Sequence, residues 1–173
     1  SAMIQSSAAD QEWETELGAT FPGLHALIAT RHMHDHGTTR EQMADVAVKN
    51  HRHGSLNPKA QFRREIKREV VTRSPIVSSP LRVFDCAPSS DGAAAVVLCP
   101  LDQASKYTDV PVEIVGSGQA SDTLALHHRR DICTMDATRV AASRAFDMAG
   151  LTRKDVEVAE VHDNFTISEI LAI

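Results

Sequence analysis

No apolar stretch in this sequence approaches the ~18 residues that a membrane-crossing helix needs, so no membrane role is expected. There is also no excess of positive charge. Eighteen Lys and Arg stand against 23 Asp and Glu, for a net charge of −5, and the cations are dispersed. That excludes the electrostatic footprint of a nucleic-acid surface. The one basic cluster, QFRREIKREVVTR at 61–73, is interrupted by Glu65 and Glu69. It reads as a solvated helical face with i,i+4 ion pairs rather than an anion site. Cysteine is scarce: Cys86, Cys99 and Cys133 make an odd count without scaffold spacing. With no signal-peptide pattern, a reducing, cytoplasmic setting is expected. Internal repeats and low-complexity segments are missing as well. What is present is 173 residues, 42% of them hydrophobic. That suffices for a domain with a real core and argues against disorder.

Ser1-Ala2-Met3 resembles a cloning remnant and is set aside. Residues 4–19 are polar, carry Trp13, and read as a loop or arm. TFPGLHALIATRHMHDHG predicts a helix with Pro22 in its first turn, Leu24, Leu27 and Ile28 on one face, and Gly37 as its stop. A second helix is predicted to start at Thr38, with Glu41 completing a capping box. Its apolar stripe is Met43, Val46 and Ala47, and the next position on that stripe is Asn50. A buried amide needs partners, and the plain reading is that Asn50 ties down the following loop. HGSLNPKAQF reads as that loop, and SPIVSSPL as an extended connection. Three strands are predicted: a buried one that follows a turn within SSDGAAAVVLCP, then VPVEIVGSG and VEVAEV. LDQASKY reads as a short helix. Asp136 should open another that Gly150 ends, with a small face of Ala137, Ala141, Ala145 and Met148 allowing close packing on a sheet. Phe165 onward is helical. The alternation in the second half argues a layered α/β fold behind a mostly helical first half.

Several residues invite a chemical reading. RHMHDHG places His32 and His36 at i and i+4, with His34 and Asp35 beside them. No further ligand is specified, and histidines at a helix C-terminus also suit its dipole, so no metal is expected. GSGQAS is a partial dinucleotide loop without the third glycine. Cys86 and Cys99 lack an activating setting and read as packing residues. His162, in VEVAEVHDNFTISEI, stands at a strand-to-helix corner with Asp163 or Asn164 as the helix cap. Free helix N–H groups there favour anionic oxygens, and the imidazole could donate to a developing oxyanion. A purely structural histidine is the open alternative.

Taken in order, KNHRHGSLNPKAQF, SPIVSSPLRVFDCAPSSDGAAAVVL, AFDMAG and VEVAEVHDNF resemble the thiolase superfamily. The likeness is closest to the archaeal-type and sterol carrier protein X-type acetyl-CoA acetyltransferases. It covers residues 20–173 and implies an incomplete, thiolase-like layered α/β fold with a mostly helical loop domain. By this likeness 1–19 are the remnant and arm, 20–82 the loop domain that covers coenzyme A, 83–108 the end of the N-terminal half, and 109–173 the start of the C-terminal half. His162 would replace the asparagine of the family's Asn-Glu-Ala-Phe loop and help form an oxyanion hole. Asn50, His51 and Asn57 would shape the substrate and coenzyme A tunnel. A coenzyme A thioester would be the substrate, with no separate cofactor.

The family's nucleophilic cysteine belongs upstream of the loop domain, and its Gly-His-Pro histidine and second cysteine downstream. No cysteine here matches either. The resemblance thus implies a middle segment of an acyl-CoA C-acyltransferase, inactive alone, acting in lipid metabolism by Claisen condensation or thiolysis. A non-catalytic acyl-CoA-binding or scaffold protein, one chain of a split thiolase, and a thiolase-like retro-aldolase are the other readings. Expected partners are an acyl-CoA, further copies of the chain in a homo-oligomer, the remaining thiolase segments, or a small OB-fold protein. No nucleic acid or membrane is expected among them.

Overall fold

A computed structural model describes residues 7–173. Ser1-Ala2-Met3 lies outside the described residues. The chain forms two compact units. The first contains residues 7–88, 122–135 and 160–173; the second contains 89–121 and 136–159.

In the first unit the arm makes one wide helical turn, Gln11–Thr15, capped by the Asp10 carboxylate accepting from the N–H groups of Glu12 and Trp13. Helix α1, Phe21–His36, starts where the Thr20 hydroxyl accepts from Gly23 N at 3.2 Å. Pro22 sits in the first turn, where its missing N–H costs nothing. Gly37 ends the helix in the left-handed region at φ 71°, which glycine adopts without strain. Ala26, Ile28 and Ala29 are buried, but Leu27, expected on the same face as Ile28, is 56% exposed. Neighbouring helical positions diverge by about 100°, so the core takes Leu24 and Ile28 and turns Leu27 away.

Helix α2, Arg40–Leu56, is capped one residue later than the sequence predicts. The box is Thr39 with Gln42, not Thr38 with Glu41. The Thr38 hydroxyl is held by the His32 ring at 2.8 Å. The helix also runs through Gly54 to Leu56, where a loop was expected. A Cβ on Gly54 would come within 2.9 Å of the Phe62 carbonyl. The glycine admits the returning chain instead of breaking the helix. Met43, Ala44 and Ala47 are buried.

Helix α3, Arg68–Arg73, follows. SPIVSSPL is more than an extended connection: Ile76–Ser78 (β1) and Leu81–Arg82 (β2) pair antiparallel across a cis Ser79–Pro80 bond. Helix α5, Thr166–Ala172, completes the unit. Ala26, Ile28, Ala29, Met43, Leu81, Leu126, Phe165 and Ile167 form the main apolar cluster. A second joins α2 to α3 through Ala44, Ala47 and Val71.

In the second unit Leu101–Lys106 is a short 3-10 helix, and α4 runs Asp136–Ala149 with Gly150 at φ 66° as its stop; Asp136, expected as the cap, is instead the first helical residue, and its carboxylate accepts from Arg139 at 3.0 Å. The expected strands at 92–98, 110–118 and 156–161 have no ladder partner among the described residues, whose one sheet is β1–β2. Val97 is 89% and Val112 92% exposed. Strand-forming sequence becomes a strand only when a neighbour takes its N–H and C=O groups. The close helix packing is nevertheless present. A Cβ on Gly116 would lie 2.2 Å from the Ala145 carbonyl, and one on Gly118 1.9 Å from that of Ala141. Glycine lets α4 rest on this segment, although Met148, counted on the small face, is exposed. The result is an incomplete layered α/β fold. Among the described residues no helix is long and apolar enough to cross a membrane.

Candidate functional site

The corner around His162 is fastened residue by residue. Asp163 accepts from the Asn50 amide, which also donates to Glu169 at 3.3 Å. Lys49 holds the other oxygen of Glu169 at 2.5 Å. The Asn164 carbonyl accepts from Ala87 N at 2.9 Å, and its side-chain oxygen accepts from Ser168 at 3.1 Å. Phe165 pairs with Cys86 in an isolated bridge and packs edge-on to Phe21 at 5.3 Å. Thr166 donates to Asp85 at 2.9 Å. Asp85 also accepts from Arg40 and from Arg82 N, each at 2.8 Å.

His162 itself is exposed, and its ring makes no hydrogen bond among the described residues. The result is an imidazole on a rigid base with its ring nitrogens available, which suits a group that must meet a ligand. Two expectations change. Phe165, not Asp163 or Asn164, occupies the helix cap, without a side-chain bond, because both polar side chains are committed elsewhere. And α5 has only seven residues, so the imidazole, not the helix terminus, is the group able to meet an oxyanion.

The three residues expected to shape the tunnel are placed differently. Asn50 does not tie down the loop after its own helix; its amide reaches 113 and 119 residues ahead, to Asp163 and Glu169. His51 Nδ1 pairs with the Arg64 carbonyl at 3.0 Å, and its ring meets Phe84 edge-on at 5.7 Å. Asn57 is exposed and accepts from Lys59 N at 2.9 Å, shaping the SLNP turn. The structure therefore brings Asn50 to the His162 corner and leaves His51 and Asn57 on the loop. An apolar groove of about 900 Å³ is lined by Trp13, Leu17, Leu24, Leu27, Leu126 and Ile132, among others. None of the four site residues expected from sequence lines it.

Sequence reasoning missed His25. Its ring stacks on Phe165 at 4.0 Å, and Nδ1 faces the Phe21 carbonyl at 3.1 Å. Burial pushes its pKa below the usual imidazole value, the Phe21 carbonyl opposes this, and Arg129 and His162 add repulsion. The signal available in sequence was its i+4 spacing from Phe21.

Cys86 is half-buried, and burial with the Asp85 charge pushes its thiol up to about 11. Burial and Asp131 also raise Cys133. Neither is a thiolate at neutral pH. Cys99, read as a packing residue, is exposed. The His32 and His36 rings meet at 4.5 Å, while Asp35 is engaged by Arg31 and His34. No group of three metal-ligating side chains occurs among the described residues.

Two family models match: "Thiolase, N-terminal domain" over residues 5–102 and "Thiolase C-terminal domain-like" over 118–173. An acetyl-CoA acetyltransferase of Methanothermobacter thermautotrophicus is 55% identical over 97% of this chain and 44% of its own length. One from Methanocaldococcus jannaschii is 45% identical over 96% of this chain and 43% of its own. A solved Ltp2-ChsH2(DUF35) aldolase superposes with a TM-score of 0.81 at 27% identity, over 92% of this chain and 44% of that one. The chain thus spans less than half the length of the relatives it matches.

Proposed function

The chain belongs to the thiolase family, and from that premise we propose that it is the segment of an acyl-CoA C-acyltransferase that carries the oxyanion-binding histidine. The observation behind this is the exposed His162 ring on a corner whose other side chains are all fastened. In the whole enzyme a cysteine thiolate attacks the thioester carbonyl, and the coenzyme A thiolate leaves. Condensation or thiolysis of a 3-ketoacyl-CoA then passes through an enolate. His162, donating one N–H, stabilises a developing oxyanion, a contribution of about 10²–10³ in rate for a single donor.

The nucleophile comes from another segment. Cys86, with its thiol near 11, and Cys133, raised by burial, are unsuited to it. A coenzyme A thioester is the substrate, and no separate cofactor takes part. His51 and Asn57 border the coenzyme A side of the site, while Asn50 holds the corner. Other copies of the chain, the remaining thiolase segments or a small OB-fold protein complete the assembly.

The test is thiolysis of acetoacetyl-CoA by coenzyme A with this chain alone. The expected result is no turnover, together with binding of an acyl-CoA that His162→Ala leaves in place. Turnover abolished by iodoacetamide would overturn the reading, because one of the three cysteines would then be the nucleophile. The likeness to an aldolase favours a second reading, retro-aldol cleavage of a 3-hydroxyacyl-CoA. A complete enzyme containing this segment that releases a ketone or aldehyde from such a substrate, without consuming coenzyme A, would decide for it.

A further inference from the structure

We propose that His32 and His36, at the C-terminal end of α1, form a two-imidazole clip for a borderline divalent transition cation such as Ni²⁺ or Zn²⁺. The site is separate from the His162 corner and independent of the acyl-CoA reading.

The sequence offers only the i,i+4 spacing, which sets the two histidines one turn apart on a helical face. The structure brings their rings together, with centroids 4.5 Å apart and planes tilted by 35°. Metal–nitrogen bonds are about 2.0–2.1 Å long. Rings this close can each turn one nitrogen to a single ion by side-chain rotation alone.

The structure also orients His32. Its Nδ1 lies 2.8 Å from the hydroxyl of Thr38, just beyond the Gly37 stop. With Nδ1–H donating to that oxygen, Nε2 carries the free lone pair. A hydrogen bond at the far nitrogen is what fixes the tautomer and the ring plane of a metal-bound histidine. His36 is exposed, and its ring makes no hydrogen bond among the described residues, so its nitrogens are open to an ion.

The charges nearby suit a cation. The C-terminal end of α1 carries the negative pole of the helix dipole. Arg31, the neighbouring cation on the helix, is neutralised by Asp35, which also meets His34 Nδ1 at 2.9 Å. Those contacts occupy Asp35 and His34 and leave the pair of imidazoles to act alone. Two imidazoles supply two ligands, and water completes the shell. Imidazole nitrogen suits Ni²⁺, Cu²⁺ and Zn²⁺, whereas Mg²⁺ and Ca²⁺ require oxygen. An ion held here ties positions 32 and 36 together and fastens the last turn of α1, about two turns beyond His25.

The test is calorimetric titration of the whole chain with NiCl₂, and with MgCl₂ as the oxygen-seeking control. The expected result is Ni²⁺ binding without Mg²⁺ binding, and His36→Ala removes one bound Ni²⁺ per chain. Thr38→Val, which keeps the side-chain shape but loses the hydroxyl, weakens that site at least about tenfold, the usual effect of losing a histidine's supporting hydrogen bond. His34→Ala leaves it unchanged. In the unaltered chain Ni²⁺ slows amide exchange at 33–37. Absence of Ni²⁺ binding, or a stoichiometry and affinity that survive in a folded His36→Ala or in Thr38→Val, overturns the proposal and leaves the acyl-CoA reading standing.

Discussion

Replacing Asn50 with alanine tests whether one amide fastens the His162 corner. In the structure the Asn50 NH₂ group donates to Asp163 and, at 3.3 Å, to Glu169, which is only 4% exposed. A hydrogen bond to a charged group is worth about 1.5–3 kcal/mol. The contact to Glu169 is long, and Lys49 still holds that carboxylate's other oxygen at 2.5 Å, so most of the loss falls on Asp163. Asp163 is half-buried, and water partly replaces its partner. The net cost is about 2 kcal/mol, one charge-assisted bond. In urea, with a slope of about 1–3 kcal/mol per molar, the midpoint should fall by about 1 M. Amide hydrogen exchange should rise at 162–165, while helix α1, which does not use Asn50, keeps its protection. Asn50→Asp should cost more, because it sets a third carboxylate beside two others. A change below about 0.5 kcal/mol, the range of an ordinary surface substitution, would refute the argument. So would unchanged exchange at the corner.

Asp85→Ala should be more severe. Asp85 is 1% exposed and accepts from Arg40, Arg82 N and Thr166, so the Arg40 charge loses its partner at a cost of about 3–5 kcal/mol; a thermal melt showing less than about 1 kcal/mol would contradict this. His25 makes stability depend on pH. Its folded pKa is lowered, so the unfolded chain binds more protons, and this contribution is present above the unfolded value near 6.5 and lost as pH falls below it. His25→Phe should flatten the decline in urea midpoint between pH 7 and 5, and an identical decline in the variant would exclude His25 as its source. The exposed apolar residues Val96, Val97, Val110, Val112 and Ile114 should drive self-association through unpaired extended backbone. Light scattering that reports a monomer across a wide concentration range would count against that.

What the sequence by itself determined lies within a few residues of each signal. Thr20, Pro22 and Gly37 bound α1, and Gly150 follows the end of α4 in the left-handed region, as local capping and steric rules require. The ordered motifs, from KNHRHGSLNPKAQF to VEVAEVHDNF, were enough for the family. Residue type and position made His162 conspicuous, and the structure leaves it exposed on a fixed base. Tertiary structure decided everything that depends on a distant partner. Thr39 rather than Thr38 caps α2 because His32 holds the Thr38 hydroxyl. Gly54 stays inside a helix because the Phe62 carbonyl passes beside it. Asn50 finds its acceptors 113 and 119 residues away, and His25, unremarkable in sequence, stacks on Phe165 at the same corner. The three apolar runs read as strands show the division most plainly. Their side-chain pattern is local, but a strand exists only when a neighbouring backbone supplies its hydrogen bonds, and no local pattern can specify that neighbour.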